Sequence, residues 1–98
     1  MANRVDNLHA WRIFVTYAET GSLSACSEVM GIEPSSVSRT IESLEKGIGQ
    51  ELVLHNSRPM ELTEVGQKAK KHIEPILRVH RKFLDGSVRK SVSEGPLV

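Results

Sequence analysis

Glycine at 21, 31, 47 and 49 cuts residues 7–49 into three short stretches, and each carries apolar residues at helical spacing. In the first, Asn7 is a favourable N-cap, and Leu8, Trp11, Phe14, Val15 and Ala18 follow three to four residues apart up to Gly21. In the second, Ser22 or Ser24 caps a run whose apolar set is Leu23, Cys26, Val29 and Met30, and Gly31 ends it. In the third, Pro34 stands where a first helical residue loses no hydrogen bond. Val37, Ile41, Leu44 and Ile48 then make one stripe, with Ser35, Arg39, Glu42 and Lys46 on the opposite face and Ser36, Ser38 and Thr40 flanking it. Segments this short must bury their stripes on one another. Two helices joined by a turn of three or four residues, the second with a polar outer face, form a helix-turn-helix corner.

Leu52-Val53-Leu54 and Met60-Glu61-Leu62 are strand-like, and His55-Asn56-Ser57-Arg58-Pro59 joins them. The expectation is a small β-hairpin with Arg58 at its tip. Thr63 then caps a long helix from Glu64, with Val65, Ala69, Ile73, Ile76, Leu77, His80, Phe83, Leu84 and Val88 along one seam. A reach to residue 85 or 90 is about 35 Å, too long to pack wholly on so small a body. Such a seam calls for a second copy. Pro75 is expected to bend this helix. The fold class is therefore mainly α: a winged helix-turn-helix of three helices plus a hairpin wing, then a dimerisation helix. The divisions are 1–63 for the winged unit, 64–90 for the linker helix, and 91–98 for a linker tail.

Charge gives no simple answer. Residues 1–63 carry five basic side chains against eight acidic ones, and residues 64–98 carry eight against four. A DNA-binding surface is usually more basic than the first portion. Two classes stay open on the residues alone. One is a sequence-specific DNA-binding module; the other is an interaction module that dimerises through the long helix without touching DNA. An enzyme lacks support, since no Gly-x-Ser-x-Gly elbow is present. His9, His55, His72 and His80 have no metal-ligand spacing, so no metal or other cofactor is expected. Cys26 is the one cysteine, is expected to be a buried structural thiol, and fits a reducing cytoplasm. No apolar run is long enough for a membrane span.

From Leu8 to Gly66 the chain resembles, without a gap, the N-terminal domain of LysR-type transcriptional regulators. The resemblance rests on Leu8, Phe14, Ala18-Glu19, Gly21-Ser22 and Glu28. It continues through Val37-Ser38-Arg39-Thr40-Ile41, Leu44-Glu45, Gly49, Leu52, Arg58 and the closing Leu62-Thr63-Glu64-Val65-Gly66. The chain departs from the family at Cys26-Ser27, where two alanines are usual, and at Glu33-Pro34, where Ser-Gln is usual. It departs again at Val53 and His55, where Phe and Arg are common. The resemblance implies a non-catalytic module that reads a pseudo-palindromic site in double-stranded DNA, with the third helix in the major groove and the wing in the minor groove. The residues placed at DNA are Ser22, Ser24, Ser35, Ser36, Ser38, Arg39, Thr40, His55 and Arg58. The implied homodimer uses Ala69, Ile73, Ile76, Leu77, His80, Phe83 and Leu84, with higher oligomers open to a full-length protein. Lys68, Lys70 and Lys71 are expected on a solvated face. The resemblance further implies that the chain is a fragment of a longer regulator, whose effector small molecule binds a domain absent here.

Overall fold

The computed structural model describes residues 7–57 and 60–84. Four helices follow one another: α1 (Leu8–Thr20), α2 (Leu23–Met30), α3 (Pro34–Ile48) and α4 (Glu64–Lys82). Their starts are fixed by local chemistry. The Asn7 side chain accepts from the backbone N–H of His9 at 2.9 Å and of Ala10 at 3.4 Å. Ser22 Oγ accepts from Ala25 N at 3.0 Å, and Thr63 Oγ1 accepts from Gly66 N at 2.9 Å. Of the two serines that could start α2, it is thus Ser22 that caps it. Gly49, not Gly47, ends α3: its φ of 72° is a left-handed conformation in which a Cβ would be strained.

The core lies where α1 meets α2 and α3. Phe14, Val37, Cys26, Leu44 and Leu52 are fully buried, and Ala10, Trp11, Ile13, Val15, Ile41 and Val53 surround them. Trp11 meets Phe14 edge to face, with ring centroids 5.8 Å apart. The Cys26 thiol, buried as its spacing predicts, donates to the Ile13 carbonyl at 3.6 Å. Burial pushes its pKa up, so it remains a protonated packing group. Burial likewise raises the Tyr17 hydroxyl, with Cys26 adding to the effect.

The expected wing is not formed. Among the described residues there is no β-strand, only one antiparallel bridge between Val53 and Leu62. Two backbone bonds define it, Leu54 N to Glu61 O at 2.8 Å and Thr63 N to Leu52 O at 3.0 Å. The ladder cannot lengthen in either direction. On one side Thr63 is already the N-cap of α4, and its carbonyl accepts from Gln67 N. On the other side the Leu54 carbonyl turns inward to accept from Ser57 N at 3.1 Å. The backbone donors of Leu52 and Val53 go to a side chain: both reach Glu45 Oε2, at 2.7 and 3.2 Å. A carboxylate on α3 thereby anchors the segment that follows it.

α4 runs from Glu64 through Pro75 to Lys82. It packs on α1, and its only buried residue is Gly66. A Cβ there would overlap the Leu52 carbonyl oxygen, so the close approach of α4 to the bridge requires glycine. Val65, Ala69, Ile73 and Leu77 lean on the core, whereas Ile76, Val79, Phe83 and Leu84 are exposed. Val88 and the tail from residue 91 lie outside the described residues.

Candidate nucleic-acid interface

The turn between α2 and α3 is Gly31-Ile32-Glu33, closed by Ile32 N donating to Ser27 O at 3.1 Å. Glu33 holds the next helix by its backbone, its carbonyl accepting from Ser36 N and Val37 N at 2.9 and 3.2 Å. These bonds and the buried stripe of Val37, Ile41 and Leu44 fix which side of α3 faces outward. Ser35, Arg39, Glu42 and Lys46 stand exposed on that side, within one column by the helical period. None of these charged groups is paired with another in an ion pair; among the described residues the ion pairs are Glu45 with His55 and Lys70 with Glu74. Arg39 therefore offers its full planar donor set to a ligand. A shallow groove between α1 and α3, lined by His9, Ser36, Arg39, Ser43 and Lys46, continues this face.

The other residues expected at DNA divide into groups. Ser22 and Ser24 are exposed at the start of α2. Ser22 Oγ uses one acceptor site in capping and keeps its proton free to donate. Ser36 and Ser38 are half-buried, Ser38 turned toward the segment after α3. Thr40 lines the groove between α1 and α3 but is nearly fully buried. It is 4% exposed, because its position beside Ile41 and one turn after Val37 turns it into the core. His55 is exposed but engaged, its Nε2 lying 2.9 and 3.1 Å from the two Glu45 oxygens. Arg58 lies outside the described residues.

The residues expected at a dimer interface also separate. Ala69, Ile73 and Leu77 pack against the chain's own core, and His80 Nδ1 meets an Arg12 guanidinium nitrogen at 3.2 Å. Ile76, Phe83 and Leu84 are 50%, 50% and 47% exposed, and Val79, which the apolar seam left out, is 68% exposed. Lys68 and Lys71 are exposed; Lys70 is partly covered and bonds Glu74 at 2.8 Å. Sequence reasoning missed two contributors. Glu45 entered only as part of the Leu44-Glu45 motif, although an acid bordering an apolar stripe can accept from the backbone donors of a following segment, as it does from Leu52 and Val53. Val79 sits three residues after Ile76 and four before Phe83, a spacing that was legible.

Among the described residues no group of three or more His, Cys, Asp or Glu side chains could hold a metal ion. No helix among them is long and apolar enough to cross a membrane.

Comparison with known proteins locates this arrangement. A model of the family described as bacterial regulatory helix-turn-helix protein, lysR family, matches residues 8–67. A probable HTH-type transcriptional regulator LtrA of Klebsiella pneumoniae is 33% identical over 86 residues, 87% of this chain and 28% of that protein. An SDS degradation transcriptional activation protein of a Pseudomonas species is 30% identical over 92 residues, again 28% of that protein. The chain thus spans less than a third of the curated relatives' length. Among solved structures, the BenM_DBD/benA site 1 DNA complex superimposes with a TM-score of 0.80 at 26% identity, covering 91% of this chain and 98% of that one. Full-length BenM gives 0.76 at 25% identity, covering 83% of this chain and 27% of its own.

Proposed function

The chain belongs to the lysR family of bacterial regulatory helix-turn-helix proteins, and on that premise we propose that it binds double-stranded DNA as a homodimer with α3 lying in the major groove. The observation that carries the reading is Arg39, exposed on the outer face of α3 and without an ion-pair partner among the described residues. The fold around it is one whose BenM relative was solved with DNA. A guanidinium so placed matches the O6 and N7 acceptors of guanine. Ser35 and Ser36 border it and are proposed as short-range partners to bases or phosphates. Ser22 and Ser24, at the positive end of α2, are proposed to donate to a phosphate and set the docking register. Ser38, His55 and, on sequence grounds alone, Arg58 belong to the flank of this interface. There the Glu45–His55 pair orients the segment after α3.

The homodimer is proposed to form through α4, where Ile76, Val79 and Phe83 make one exposed apolar column. Two-fold pairing sets two copies of α3 to read a pseudo-palindromic site. The matched module is regulatory, not catalytic. In a whole regulator of the relatives' length, an effector small molecule would bind a further domain.

A second reading, a dimerising module that leaves DNA alone, draws on one observation: Glu33 and Glu42 offset Arg39 and Lys46 on the α3 side. A mobility shift at stepped salt concentrations separates the two. A DNA binder loses affinity steeply as counterion release is suppressed. At fixed salt Arg39→Ala is expected to weaken operator binding by about 1–3 kcal/mol with helicity unchanged. An unaltered affinity in that variant would remove α3's outer face from the interface.

A further inference from the structure

We infer that Glu33 is a specificity-determining residue that requires a cytosine in each half-site. The inference rests on the DNA-binding reading above. Glu33 is the exposed N-cap of α3, yet its side chain makes no capping hydrogen bond. Its backbone is held on the helix side, by the ring of Pro34 at the first helical position and by the two bonds its carbonyl accepts from Ser36 and Val37. A held backbone with an uncommitted carboxylate keeps a hydrogen-bond acceptor within a side chain's reach of this point. It stands at the leading end of the helix proposed to enter the groove, where the first residues of a recognition helix meet base edges.

An ionised carboxylate can only accept hydrogen bonds, and phosphates on either side of the groove repel it. Its presence there is favourable only opposite a base-edge donor. In the major groove two bases supply one: cytosine through N4 and adenine through N6. Adenine sets its N7 acceptor beside that donor, which repels a second acceptor, whereas cytosine presents the N4 donor alone. Glu33 therefore selects cytosine. It works against guanine and thymine, whose major-groove edges carry acceptors. It also lowers affinity for DNA at large, so its contribution is discrimination, complementary to the attraction from Arg39. The carboxylate also lies favourably at the positive end of α3. That stabilising role alone would move the melting temperature and leave base preference untouched.

The test is selection from a pool of randomised duplexes, using the 98-residue chain as wild type, Glu33→Gln, Glu33→Ala and Arg39→Ala, each checked for helicity. Wild type should enrich cytosine at one symmetric position per half-site, and replacing that base by thymine should weaken binding about tenfold or more. Glu33→Gln should lose the cytosine preference and gain one for adenine, whose paired acceptor and donor an amide matches. Glu33→Ala should lose the preference and bind unselected DNA more tightly. Positions sensitive to Arg39→Ala should be unchanged in both Glu33 variants. Identical base preferences in wild type and the Glu33 variants, with Arg39 still required, would overturn the role of Glu33 and leave the DNA-binding reading standing. A wild-type chain that enriches no sequence would overturn both.

Discussion

α3 and α4 have the same kind of sequence pattern, an apolar stripe with charges opposite, and they put it to different uses. α3 turns its stripe into the chain: Val37, Ile41 and Leu44 are buried against α1 and α2, and Ile48 is partly buried. α4 touches the body along Val65, Ala69, Ile73 and Leu77, buries only Gly66, and leaves Ile76, Val79, Phe83 and Leu84 in solvent. Amphipathic periodicity says that a helix has an apolar face. It does not say whether the chain itself has enough surface to cover that face. Residues at one helical period can therefore belong to a core, to a partner, or to both at once.

The sharpest way to break this comparison is at Gly66, where the backbone of α4 comes close to the Leu52 carbonyl. Gly66→Ala forces a methyl group into the Leu52 carbonyl, and α4 must move off the bridge. A loss above about 3 kcal/mol in urea unfolding is expected, and wild-type stability in this variant would mean that the close approach is not obligatory. Next comes a matched pair of truncations. Leu44→Ala in the fully buried stripe should cost about 2–5 kcal/mol, whereas Val79→Ala should change the stability of the isolated subunit by no more than about 0.5 kcal/mol. Comparable losses at the two sites, measured at a concentration where the chain is monomeric, would erase the distinction between them.

The smallest expected effect is electrostatic. A hydrogen bond from Lys70 holds the Glu74 carboxyl below its usual range. Burial opposes this, and the Lys70 charge, a hydrogen bond with Glu19 and the Arg78 charge reinforce it. The folded state thus binds this proton less readily than the unfolded chain. The stabilisation is complete above the unfolded carboxylate value of about 4.3 and is lost as pH falls through the lowered folded value. Glu74→Gln should remove that slope, by less than about 1 kcal/mol for a pair on the surface of a helix. An unchanged acid profile would show the pair to be idle.

Much of the helical frame was legible because its signals are local. Asn7, Ser22 and Thr63 cap through bonds spanning two or three residues, and the buried stripe of α3 follows from its period alone. The hairpin was misread for a non-local reason. Leu52 and Val53 have strand-like side chains, but their backbone donors are taken by Glu45, seven and eight residues back, and Thr63 is claimed by the start of α4. The burial of Thr40 was not legible, because a short hydroxyl beside a stripe fits either side of its edge. At the interface the outward column of Ser35 and Arg39 was readable from helical period, while the Glu45–His55 pair depends on a tertiary contact between helix and loop.

The central claim is that the face of α4 left open by the body is covered by a second copy of the chain. Sedimentation equilibrium at micromolar concentration tests it on wild type and on an Ile76→Asp, Phe83→Asp double variant, with helicity followed in parallel. Wild type should sediment at twice the 10.9 kDa chain mass, and the double variant as a folded monomer, since two carboxylates cannot be buried in an apolar contact. A wild-type monomer, or a dimer that survives both substitutions, would contradict it.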